Sequence, residues 1–200
     1  MIAGALLSLG FGGALVAMYL IFVVDAALIP TLPEVFVVLF FSYRTLFGVP
    51  PLPWAAALLT MALAGEATGN SVLYFIVNRA LVRTGRMPKR LEAVMRRWTN
   101  FLILHDERII LLNRLIPVVP FVGAFIAALK WRYPRSLAYI LIGAGAKYSA
   151  LLLLVGAVGV AYDPAMAGWI TLALVLGLVG ASAVGSLLYR RRVVRTRGGP

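Results

Sequence analysis

Five ionisable side chains stand inside long apolar stretches of this chain: Asp25, Glu34, Glu66, Arg114 and Lys147. A charge at bilayer depth costs about 2.5–3.5 kcal/mol on insertion scales, so such residues face an interior site, pair with one another or change protonation. Carboxylates in that setting can hold or exchange a proton. An arginine offers a planar fork that matches a phosphate. Arg114 lies close before Pro117 and Pro120, and Asp25 and Glu34 flank Pro30 and Pro33. Prolines one turn apart break a helix. Broken backbone at membrane depth survives only inside protein or beside a water-filled cavity. The set therefore points to a binding site for an anion and a proton. For Arg114 the plainer alternative is a kinked span from which it snorkels to the surface. Asp25 could instead cap the first span, with Glu34 opening an interfacial helix. Lys147 sits about three turns into its segment, too deep to snorkel easily. Glu66 needs a partner or a proton near mid-span, and Lys147 and Arg114 are the candidates.

The rest of the inventory is short. There is no cysteine and one histidine, His105. Disulfides, thiolate metal sites, histidine metal sites and a serine–histidine triad are thereby set aside. No enzyme activity, metal or cofactor is expected, and His105 reads as an interfacial residue.

The elements that must position these residues follow from composition. Of 200 residues, 62% are hydrophobic, and the mean hydropathy is +0.95. That is an all-α integral membrane protein with a single membrane domain over 1–200. The net charge is +12. Its basic residues fall between and after apolar segments, so they orient the chain and meet anionic lipid head groups, and nucleic acid is not the expected partner. The start has neither a basic n-region nor a small-residue cleavage site, so no cleaved signal peptide is expected. In order, 3–24 reads as a full span and 25–47 as a hairpin broken by Pro30 and Pro33. Gly48, Pro50, Pro51 and Pro53 read as an extended loop. A span over 54–77 contains Gly65 and Gly69 at the spacing that lets helices approach closely. Residues 79–100 form a basic amphipathic segment with Leu91, Val94, Met95 and Trp98 on one face. Residues 109–129 are a second hairpin, broken by Pro117 and Pro120. Residues 130–135 are a basic-aromatic loop, 137–161 and 166–188 are spans, and 190–200 is an arginine-rich tail.

Charge bias sets the topology. If 109–129 enters and leaves on one side, the 79–97 cations, the 130–135 loop and the tail all collect on the cytoplasmic face. If it crosses, the loop and tail oppose the 79–97 cations. The first arrangement gives four full transmembrane helices and two oppositely oriented re-entrant helical hairpins, with both termini cytoplasmic and 25–53 outside. Each hairpin precedes a glycine-rich span with one ionisable group, Glu66 or Lys147. That is the pattern of an inverted repeat.

These residues resemble the DedA family within the VTT-domain superfamily, which includes SNARE-associated Golgi protein-like membrane proteins. Asp25, Pro30, Pro33 and Glu34 are similar to its acidic, proline-broken motif, where the first acid is usually glutamate. Gly65-Glu66-Ala67-Thr68-Gly69-Asn70, followed by Tyr74, is similar to its glycine-rich GxxxGD…Y segment, with Asn70 where aspartate is usual. Arg114-Leu115-Ile116-Pro117 resembles its RFxP motif. Ala127-Ala128-Leu129-Lys130-Trp131 stands where that motif's AG…M continuation falls. A second arginine is usual where this chain has Pro120, so Lys130 or Lys147 stands as the substitute cation. The resemblance covers about residues 20–160. It implies a flippase or scramblase of polyprenyl phosphates or phospholipids in the cell membrane of a prokaryote, proton-coupled in some members. A fainter resemblance to small multidrug export proteins implies a proton-coupled exporter of small cationic compounds. A membrane assembly protein without transport is the third reading. A homo-oligomer is left open.

Overall fold

The computed structural model describes residues 2–27, 32–84, 107–115 and 121–161, with positions 173, 176, 177 and 180. Every regular element among the described residues is helical. In chain order these are α1 (Ile2–Ala27), α2 (Pro33–Ser42), a 3-10 turn (Arg44–Phe47) and α3 (Pro51–Val77), which ends in a wide π-helical turn (Asn78–Val82). Then come α4 (Ile109–Leu115), α5 (Val122–Ala128) and α6 (Tyr133–Ala161). Pro30, Pro117, Pro120, His105, the basic segment beyond Thr84, most of 166–188 and the arginine tail lie outside the described residues.

Prolines open three of these helices. Pro33 stands in the first turn of α2 and Pro51 in the first turn of α3. Pro134 is the second residue of α6. A first-turn amide has no intrahelical acceptor, so its loss there is harmless, and the fixed φ suits the helix. The proline-rich loop read at 48–53 is thus partly helix. So is the end of the 130–135 loop.

α1 and α3 run in the same direction. Phe11 packs on Trp54 with ring centroids 5.3 Å apart. Further along, the Tyr19 hydroxyl donates to Thr68 Oγ1 at 3.2 Å. The two glycines of α3 are the contact. A Cβ added at Gly65 would lie 2.6 Å from both Phe22 Cβ and the Tyr19 carbonyl oxygen. One at Gly69 would lie 2.6 Å from the Val23 carbonyl oxygen and 2.7 Å from Ala26 Cβ. Only glycine admits so close a helix pair.

Two parallel neighbours require the chain to return between them, and α2 makes that return. Phe47, just beyond α2, also packs on Trp54, with ring centroids 5.3 Å apart. The Trp54 indole N–H donates to the Phe40 carbonyl at 3.0 Å. Phe11 and Phe47 therefore meet at one end of α3. α1 and α2 thus form the antiparallel pair of the first hairpin, where the sequence reading set a hairpin over 25–47 apart from 3–24; Gly10–Ala27 is at the same time long and apolar enough to cross a membrane. Asp25 belongs to the last turns of α1, where Val23 and Ala26 are held against Gly69 and the helix continues past the acid.

The second hairpin returns as well. Glu107 precedes α4 and Arg132 follows α5, and Glu107 Oε1 accepts the Arg132 backbone N–H at 2.7 Å. A continuous helix over the intervening residues would hold these ends more than about 30 Å apart. Glu107 Oε2 also meets Arg135 Nη1 at 3.6 Å. The chain reverses after α5 through Lys130, whose φ of 56° is left-handed. The Trp131 N–H reaches back to the Ile126 carbonyl at 3.0 Å and the Lys130 N–H to the Ala127 carbonyl at 3.2 Å. That is a Schellman stop built with lysine where glycine is usual.

α6 runs antiparallel to α3. Ser71 Oγ and the Tyr133 hydroxyl lie 2.6 Å apart at one end, and Gly145 faces Leu63 further along. One apolar core joins α1, α2, α3 and α6 around Met18, Phe22, Trp54 and Tyr148. The second joins both arms of the second hairpin to α6 through Ile109, Ile110, Phe125, Ile126 and Ile140. Two described helices, Gly10–Ala27 and Tyr133–Ala157, are long and apolar enough to cross a membrane. Only 22% and 39% of their residues are buried within the protein. α3 is long enough at 27 residues, but its Glu66–Asn70 run lowers its apolarity.

Candidate functional site

Lys147 occupies the middle of α6, fourteen residues from either end. At 1.5 Å per residue, either end of the helix is about 21 Å away. The Lys147 ammonium pairs with Glu34 Oε1, in the first turn of α2. The two residues are 113 positions apart. Their meeting follows from direction: α2 runs alongside α6 in the same sense, with Phe41 near Gly156, so the start of α2 comes level with the middle of α6. A carboxylate in a first helical turn also complements the helix dipole. Lys147 Nζ lies 5.3 Å from the centroid of the Tyr148 ring, close enough for a cation–π attraction. That ring is itself held edge-on by Phe22 at 5.0 Å. Lys147 was a candidate partner of Glu66; the structure gives it to Glu34.

Glu66 is buried, with 1% of its surface exposed. Asn70, one turn later on the same face, donates from Nδ2 to Glu66 Oε2 at 3.1 Å and to the Glu66 carbonyl at 2.9 Å. Its Oδ1 accepts the Gly123 backbone N–H at 3.2 Å. Gly123 lies in the first turn of α5, which has no side-chain cap of its own. Orphan first-turn amides need an acceptor, and Asn70 supplies one from another helix. The amide orientation is fixed by this bond, because a backbone N–H can only donate. Asn70 therefore ties the buried acid to the second hairpin. The approach is closer than any side chain allows: a Cβ at Gly123 would lie 2.3 Å from the Asn70 carbonyl oxygen.

Of the remaining sequence candidates, Asp25 is half-buried in α1. Arg114 has its backbone in α4, and its side chain lies outside what is described. The structure thus brings together Glu34 with Lys147, and Glu66 with Asn70 and Gly123. Both groups sit where the second arm of a hairpin begins against a long helix, α2 at α6 and α5 at α3. The first hairpin opens toward the Trp54 end of α3 and the second toward the Arg83 end.

Sequence reasoning missed three contacts. Asn70 was noted as a departure from a motif, not as a cap. Glu107 closes the mouth of the second hairpin through the Arg132 backbone N–H and Arg135. Tyr74 stacks on Tyr133 at 4.5 Å, beside the Ser71–Tyr133 hydrogen bond. Only the i, i+4 spacing of Glu66 and Asn70 was a signal available beforehand.

No family model, curated protein or solved structure matches the chain.

Chemically, the arrangement offers a cation paired with a carboxylate, and a second acid hydrogen-bonded through Asn70 to a hairpin. Among the described residues, no three acidic or histidine side chains gather as metal ligands.

Proposed function

We propose that this chain is an integral membrane transporter of DedA type that flips or scrambles an anionic lipid, a polyprenyl phosphate or a phospholipid, in a prokaryotic cell membrane. The observation that carries this reading is the pair of broken hairpins entering from opposite ends and meeting charged residues at mid-length of α3 and α6. Discontinuous helices meeting near a midplane are how secondary transporters build substrate sites. The exposed apolar residues Phe11, Val16, Leu20 and Val24 on α1, and Ile142, Leu153 and Leu154 on α6, suit acyl chains. Arg114 takes the phosphate, while Asp25, Glu34 and Glu66 hold or exchange the proton. The lipid tail stays in the bilayer as its head group passes.

In a membrane, α3 and α6 span fully, 166–188 is a third span, and the two hairpins are re-entrant. The basic 79–100 segment, the Arg132 loop and the tail share the cytoplasmic side. The Gly10 end of α1 lies on the outer side with Thr45. The natural lack of cysteine makes this testable. Gly12→Cys and Thr45→Cys are expected to react with an impermeant thiol reagent from one side, Arg83→Cys and Arg132→Cys from the other. Labelling of Gly12→Cys and Thr45→Cys from opposite sides would restore a fully spanning α1.

The functional test is reconstitution in liposomes with a short-chain polyprenyl phosphate and a fluorescent phospholipid, with and without a pH gradient. Lipid movement is expected in the wild type. It should fall to the protein-free rate in Arg114→Ala and Glu34→Gln. Movement that needs carboxylates but tolerates Arg114→Ala would favour a small-cation exporter. No movement of either lipid would sink the transport reading.

A further inference from the structure

We propose that Lys147 is itself a phosphate-binding residue and that Glu34 is its resting counter-ion, displaced when an anionic head group arrives. This rests on the transport reading above and assigns a competition within it. A cation in the middle of a 29-residue helix cannot be left without an anion nearby. Glu34 fills that role in the structure, but the pair is not sealed. The Lys147 side chain is 27% exposed and that of Glu34 12%, so an incoming anion meets the cation first. The two partners also differ in how firmly they are held. Lys147 is anchored in a long helix, with its ammonium over Tyr148, whose ring is wedged by Phe22. Glu34 rides on the first turn of a ten-residue helix. Trp54 holds that helix at its far end, through Phe40. Rotation of the Glu34 side chain swings the carboxylate aside while α2, packed through Val37 and Val38, and the lysine stay in place. A phosphate oxygen then takes the position of Glu34 Oε1, and the released carboxylate takes up a proton from the water that accompanies the head group, which is the proton the transport reading assigns to it. One negative charge replaces another at Lys147 throughout.

The ligand chemistry is a phosphate, free or on a lipid. Binding of farnesyl phosphate and of inorganic phosphate is measured on the purified full chain in detergent. Lys147→Gln is expected to weaken farnesyl phosphate by about tenfold or more, and Glu34→Gln to tighten it by a similar factor, because the competitor is gone. The double variant should follow Lys147→Gln, and Lys147→Arg should bind like the wild type, which guards against a misfolded Lys147→Gln. The same pattern with inorganic phosphate would place recognition in the phosphate alone; binding of farnesyl phosphate only would make the ligand a lipid head group. Unchanged affinity in Lys147→Gln, or weaker binding in Glu34→Gln, would overturn the proposal. Should this pattern appear in a protein that moves no lipid in liposomes, the transport reading fails and the Lys147 site stands.

Discussion

The Gly123→Ala variant is expected to lose the docking of the second hairpin on α3. The new Cβ would fall 2.3 Å from the Asn70 carbonyl oxygen and 3.1 Å from both the Asn70 carbonyl carbon and the Tyr74 nitrogen. All three are backbone atoms inside a long helix, so no side chain can turn away. α5 must move instead. That movement stretches the 3.2 Å bond from the Gly123 N–H to Asn70 Oδ1 and leaves a buried donor without its acceptor. Overpacking costs about 1–3 kcal/mol and an unmet buried polar group a similar amount. Together they are a large part of the stability of a small domain. The unfolding midpoint in detergent should drop by many degrees, and lipid movement in liposomes should vanish. Gly145→Ala is the control, because there the nearest atom is a Leu63 methyl carbon at 4.0 Å. Equal midpoints for the two variants would mean that α5 does not sit on Asn70.

Much of this geometry was legible in the sequence, and the rest was hidden for identifiable reasons. The GxxxG spacing of Gly65 and Gly69 marked a close helix contact. Glu66 stood out as a buried acid because apolar residues flank its run. Pairing was not legible. Which acid Lys147 meets depends on the relative direction of two helices more than a hundred residues apart, and residue types do not encode direction locally. The direction of α1 was hidden for a related reason. Between residues 1 and 64 the charged residues are Asp25, Glu34 and Arg44, so the positive-inside rule had a single cation to act on. Prolines misled in a consistent way. At 51, 53 and 134 they looked like loop residues, yet the first turn of a helix accepts them freely. Asn70 was obscured because its acceptor role belongs to another element: a cap supplied from a neighbouring helix leaves no mark in the sequence of the helix it caps.

The second large effect concerns the Glu34–Lys147 pair and separates stability from function. Removing one partner of a buried pair costs about 3–5 kcal/mol, because the other charge is left behind. Here the cost should be smaller, since the Lys147 side chain is 27% exposed. Lys147→Met and Glu34→Leu are each expected to lower the unfolding midpoint by several degrees. The double variant Glu34→Leu/Lys147→Met should recover the midpoint or exceed it, since an apolar pair of similar volume avoids the desolvation of two ions. Val37 and Val38 on α2 and Leu151 on α6 already form an apolar bed close by. Transport should not recover with the stability. A double variant that is as stable as the wild type and inactive would mean that these charges are kept at the α2–α6 contact for what they bind, against the interest of the fold. A double variant that moves lipid at the wild-type rate would reduce the pair to a helix clamp, and the search for the head-group site would shift to Arg114 and the Glu66–Asn70 junction.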